Sequence, residues 1–190
     1  MLKVDLGGLV VTLTNRGNCL TRWFVICLGL WVGIPHDQVV RSEDNVMTVD
    51  DLVRMTGPQL DALYAAGTVP PIPNGRVTGR AIYYPGTKLT VPMSVGARLV
   101  WQGKIFDSAA ASAKNRFFGV RSVPGQLYEG ESWKDGGAAL ILDYEKTSRI
   151  YANYRDEIRQ IGPGLYLGLM YDRRTSPVTL KMYFALQEQN

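Results

Sequence analysis

The sequence is poor in the two side chains that most often carry enzyme chemistry. Of 190 residues one is histidine, His36, and two are cysteine, Cys19 and Cys27. All three precede residue 46, so the remainder of the chain has neither imidazole nor thiol. That excludes from residues 46–190 a disulfide framework, a cysteine nucleophile, a thiolate zinc site, a multi-histidine metal site, a Ser-His-Asp triad and a histidine general base. Nucleotide fingerprints are missing too: Gly7-Gly8 has no following glycine pattern, and no Gly-Lys-Ser/Thr loop occurs. No cofactor is expected. Internal repeats are absent, and the longest low-complexity tract, Ala109-Ala110-Ala111, reads as part of a loop. Any chemistry in this region must run on Tyr, Asp, Glu, Arg and Lys.

Runs of one charge sign are lacking as well. The net charge is +4, yet the most charged stretch, residues 143–159, mixes Lys146, Arg149, Arg155 and Arg159 with Asp143, Glu145, Asp156 and Glu157. Interspersed signs describe a solvated or internally paired face, and no nucleic-acid partner is expected. With 46% hydrophobic and 20% charged residues the chain has the composition of one packed domain.

The apolar run at residues 23–34 (WFVICLGLWVGI) is shorter than the roughly 20 residues of a spanning helix. Arg16 and Arg22 before it and Pro35-His36-Asp37 after it give the layout of a signal-peptide core, which predicts export or membrane association. No small-x-small site follows Ile34, and Ile26 before Cys27 does not suit lipoprotein cleavage. The alternative is a misassigned start codon or a buried element packing on the domain, and the protein is then expected in the cytoplasm. Residues 1–45 are thus read as leader and linker, and residues 46–190 as the domain.

Within the domain, Thr48 before Asp50 and Asp51 marks a helix start, and Thr56-Gly57-Pro58 starts a second helix that Gly67 ends. This helical pair is expected to plug or flank the domain. Pro70, Pro71 and Pro73 form an extended connector. From Gly75 onward short β-like pieces alternate with Gly, Pro, Asn and Asp turns, predicting strands near 77–84, 97–106, 117–128, 131–133, 138–144, 150–160, 165–171 and 181–186. Close spacing favours antiparallel pairing. The expected fold is mostly β, an antiparallel up-and-down barrel of about eight strands, with a two-sheet sandwich as the second choice.

Trp101, Gly103 and Lys104 in the strand WQGKIF, with Asp143-Tyr144, Ser148, residues 155–159 (RDEIR) and residues 164–168 (GLYLG), resemble a family of bacterial lipocalin-like (calycin-type) barrels. The resemblance spans residues 48–186. It implies a closed barrel with an internal cavity for a small hydrophobic ligand, and it carries over no catalytic residues.

Read on their own physics, Trp101 and Trp133 either pack in the core or line a ligand cavity. Lys104 needs a partner if it points inward, because a buried ammonium is unfavourable alone. Residues two apart share a strand face, so Arg155, Glu157 and Arg159 lie on one side and Tyr154, Asp156 and Ile158 on the other. The first set is either a surface ion-pair ladder or, turned into the barrel, an anchor for a carboxylate or carbonyl, with Asp156 or Glu157 orienting it or acting as base. Tyr144, Tyr166 and Tyr171 offer hydroxyl donors, or sit at barrel ends with the ring buried and the hydroxyl wet. Asp135 in KDGG reads as a turn residue. Two main functions follow. The first is binding of a small hydrophobic or amphipathic ligand in the barrel, with Trp101, Lys104, Trp133, Arg155, Arg159, Tyr166 and Tyr171 as its contacts. The second is a cofactor-independent lyase or isomerase using Tyr144, Asp156 and Glu157. A third, an interaction protein of the cell envelope, would show a filled barrel and a large apolar surface patch.

Overall fold

The computed structural model describes residues 46–189; the apolar leader and its linker lie outside the described residues. Two short helices, α1 (Val49–Arg54) and α2 (Gly57–Ala66), precede β1 (Gly75–Ile82). A third helix, α3 (Thr90–Val100), leads into β2 (Trp101–Asp107), β3 (Ser112–Phe117), β4 (Val120–Glu131), β5 (Ala138–Asp143), β6 (Tyr154–Gly162), β7 (Leu165–Asp172) and β8 (Thr179–Glu188). The eight strands close in sequence order into an antiparallel barrel, with β8 returning to β1. An eight-stranded barrel has an interior just wide enough to be filled by side chains or to hold one small ligand.

Alternation along the strands sorts the apolar residues into two cores. Val77, Ala81, Trp101, Phe106, Leu140, Leu142, Ile158, Tyr166, Phe184 and Leu186 fill the barrel. The intervening positions Ile82, Leu165, Leu167, Leu169, Tyr183 and Ala185 face outward and are covered by Leu52 and Val53 of α1 and Leu60 and Tyr64 of α2. The helical pair therefore flanks the barrel wall. A reciprocal capping box starts each helix, Thr48 with Asp51 and Thr56 with Gln59. Each of these helices is too short to persist alone, so the buried side chains hold them, at about 1.5–3 kcal/mol for each large apolar group.

The strand expected over 97–106 begins only at Trp101, because residues 97–100 belong to α3. Pro92, Gly96 and the β-branched Val91, Val95 and Val100 all lower helix propensity and mask this helix in the sequence. The segment 117–128 straddles the turn between β3 and β4, β4 runs through to Glu131, and residues 132–137 form a turn. β6 begins at Tyr154, after a turn that takes up residues 150–153.

Candidate functional site

Trp101 and Lys104 are three residues apart yet both point into the barrel. A β-bulge between them makes this possible: the β2–β3 register shifts between Trp101 and Lys104, and Gly103 adopts φ +113°. A Cβ at position 103 would lie 2.3 Å from the Val77 carbonyl oxygen, so only glycine fits. The indole then crosses Gly79, where a Cβ would lie 2.6 Å from its ring, and meets Phe184 edge-on at 5.8 Å.

Five side chains, the indole among them, from three strands and the end of β5 form one buried polar network. Lys104 Nζ donates to Asp156 Oδ2 at 2.7 Å, Asn115 Oδ1 at 2.8 Å and the Tyr144 hydroxyl at 3.0 Å. Tyr144 donates in turn to Asp156 Oδ2 at 2.6 Å, Asn115 Nδ2 donates to the Tyr144 hydroxyl at 2.9 Å, and Trp101 Nε1 donates to Asn115 Oδ1 at 3.0 Å. An ammonium has three N–H donors, and here each has an acceptor. Burial pushes the Lys104 ammonium below its ordinary pKa, against the pull of Asp156, and burial with the Asp156 charge holds the Tyr144 phenol well above its own. Tyr144 therefore remains a proton donor. A buried carboxylate and ammonium with such geometry stabilise each other, whereas either one alone would be strongly unfavourable.

Arg155, Glu157 and Arg159 take neither of the two orientations expected. They face away from the interior and are nonetheless buried, because α2 and the 132–137 turn cover them. Arg159 holds Asp135 through two hydrogen bonds of 2.8 Å, donates to the carbonyls of Ala138 and Tyr64, and lies 4.4 Å from the Tyr64 ring. Glu157 accepts from Ser132 Oγ and the Trp133 amide, and Arg155 donates to the Glu131 carbonyl and stacks on Trp133 at 4.2 Å. Asp135 is a turn residue, as read from the sequence, and is also the anchor that clamps its turn to β6. Tyr171 joins this outer seam edge-on to Trp133. Tyr166 lies inside the barrel and hydrogen-bonds Glu188. Among the described residues no three His, Cys, Asp or Glu side chains converge on a common point.

The most apolar open volume lies at the barrel mouth. A pocket of about 380 Å³, open to solvent, lies between the rim and α3, lined by Ala81, Tyr83, Pro92, Met93, Gly96, Ala97, Val100, Trp101 and Met182. Trp101 is the member of the buried network that reaches this pocket, and its ring forms part of the wall. Of the residues singled out from the sequence, Trp101 alone lines it. The α3 and Tyr83 contributions were not legible, since the helix itself was hidden.

No family model matches the chain, and no curated protein matches it. Among solved structures, a protein from Thermomonospora curvata is similar over 72% of this chain and 90% of that one, with 18% sequence identity and a TM-score of 0.47. The closed eight-stranded antiparallel barrel agrees with the lipocalin-like resemblance at the level of architecture.

Proposed function

We propose that the protein binds a small, largely apolar molecule in the pocket between α3 and the barrel mouth. The observation that carries this reading is the pocket itself. Its volume of about 380 Å³ falls at the small end of ligand sites, which run from about 300 to 1,000 Å³. Its walls are aliphatic and aromatic, with the Tyr83 hydroxyl as the polar group among the lining side chains. Burial holds that phenol above its ordinary pKa, so it is a donor suited to a carbonyl or ether oxygen. The network beneath serves the pocket indirectly: Asn115, fixed by Lys104 and Tyr144, sets the orientation of the Trp101 ring.

Binding is favoured over acid-base catalysis by the charge pairing within that network. Asp156 Oδ2 already accepts from both Lys104 and Tyr144, so proton abstraction by it would require breaking a buried ion pair. Glu157, on the opposite face, is taken up by Ser132, Trp133 and Arg155.

Gly96 supplies the test. A Cβ there meets nothing within 4 Å, so Gly96→Leu is tolerated by the fold while its side chain occupies the pocket. Titration with the uncharged fluorophore N-phenyl-1-naphthylamine is expected to saturate on the wild-type protein at one site and to weaken at least about tenfold in Gly96→Leu, the loss set by about 1.4 kcal/mol. Equal affinity in both proteins would reject the pocket as the binding site.

A further inference from the structure

Many of the apolar side chains that the fold leaves in water are gathered on α3 and the β3–β4 turn, beside the pocket. On α3, Val91, Val95 and Leu99 recur every fourth residue and are exposed, Leu99 by 77%. Phe118 and Val120, at the β3–β4 turn, are exposed by 72% and 66%. The two sets are joined: the Phe118 amide donates to the Val100 carbonyl at 2.8 Å, the Gly119 amide to Gln102 Oε1 at 2.8 Å, and Gln102 Nε2 to the Leu99 carbonyl at 3.2 Å. Soluble monomers seldom expose a contiguous apolar surface of this kind without a use for it.

One step back from the Phe118 tip the hairpin changes character. Arg116 and Arg121 stand directly opposite each other across the β3–β4 ladder, with Arg76 close by and Lys114 exposed on the same strand as Arg116. Like charges placed opposite each other destabilise a sheet. Burial, together with Arg76 and Arg121, pulls the Arg116 guanidinium below its ordinary pKa. Among the described residues no ion pair uses any of these four cations. Arg80, Arg155, Arg159, Arg173 and Arg174 each sit on a carboxylate, whereas these four cations form a positive collar without an ion pair behind an apolar tip.

We propose that this face docks on an anionic lipid bilayer, with Phe118, Val120 and Leu99 entering the acyl boundary and Arg76, Lys114, Arg116 and Arg121 meeting the headgroup phosphates. The order along the hairpin matches depth in a bilayer: strands advance about 3.3 Å per residue, so a collar two to four residues behind the tip lies at headgroup level when the tip reaches the hydrocarbon. Nucleic acid would satisfy the cations and could stack a base on Phe118, but it offers nothing to the exposed aliphatic Leu99 and Val120. A protein seated this way presents α3, and the pocket beneath it, to the membrane surface.

Vesicle cosedimentation of the full chain tests the proposal. Vesicles of phosphatidylcholine with added phosphatidylserine are expected to bind the wild-type protein more tightly than phosphatidylcholine alone, in a salt-sensitive manner. The double variant Leu99→Ser/Phe118→Ser and the double variant Arg116→Ser/Arg121→Ser should each lose about tenfold or more in binding, at about 1 kcal/mol per surface cation for the second. Both are expected to melt like the wild type and to keep N-phenyl-1-naphthylamine binding, so failure of the bilayer proposal is distinguishable from failure of the pocket. Equal binding to both vesicle types, vesicle binding unchanged in the two variants, or tighter binding to an oligonucleotide than to anionic vesicles would overturn it.

Discussion

Lys104 shows why a side chain's meaning depends on the residues it meets. Its identity raised the question of a partner if it faced inward, and Asp156, fifty-two positions later, is that partner at 2.7 Å. Removing one half of the pair leaves the other half charged and buried, so Asp156→Asn or Lys104→Met should destabilise the protein by about 3–5 kcal/mol in urea unfolding. The paired replacement Lys104→Met/Asp156→Leu should recover much of that loss, and equal instability of the double and single variants would contradict the pairing argument. Gly103→Ala acts on backbone instead, forcing a Cβ toward the Val77 carbonyl at φ +113°. The expected result is a loss of several kcal/mol, about 3 or more, or no soluble protein. The Trp-Gly-Lys motif was legible as a motif, but that its glycine bulges the strand and turns both flanking side chains inward was not.

The elements are held to the barrel by two different means. α1 and α2 rest on apolar burial against the outer wall, whereas the 132–137 turn is fastened by the charges of β6. Asp135→Ala removes the bidentate partner of Arg159 and should lower stability by about 1–3 kcal/mol, while raising hydrogen exchange selectively at residues 132–137. Uniform exchange across the barrel would argue against a local clamp. α3 carries the opposite expectation: Gly96→Leu improves helix propensity and should leave the melting temperature unchanged or raise it, even as it blocks the pocket. The periodicity of two placed Arg155, Glu157 and Arg159 on one face correctly. It could not say that this face, on the outside, is also buried, because the cover comes from residues 64 and 132–137.

For the molecule as a whole, the acid limb of stability follows from carboxylates held by arginines. Arg174 keeps the Asp172 carboxyl down at about 2, and Arg159 holds Asp135 below its ordinary value of 3.8. A carboxylate whose folded pKa is depressed releases its proton more readily in the native state, so the unfolded chain takes up protons first as pH falls. The stabilisation is full above about pH 4 and is lost as pH falls toward 2. Melting temperatures measured across that interval should fall less steeply in Arg174→Ala than in the wild type, and parallel curves would refute the assignment. Alternation and turn residues in the sequence by themselves determined about eight antiparallel strands, because a period of two with short connections favours pairing of neighbours, while the choice of a closed barrel over a two-sheet sandwich was made by the pairing of β8 with β1. The absence of His and Cys after residue 36 likewise set the limits of its chemistry. What only the tertiary structure decided was which polar residues meet, that α3 forms and roofs a pocket, and that an apolar tip stands in front of an uncompensated cationic collar. These depend on contacts between residues distant in sequence, and on a helix that packing stabilises against its own weak propensity.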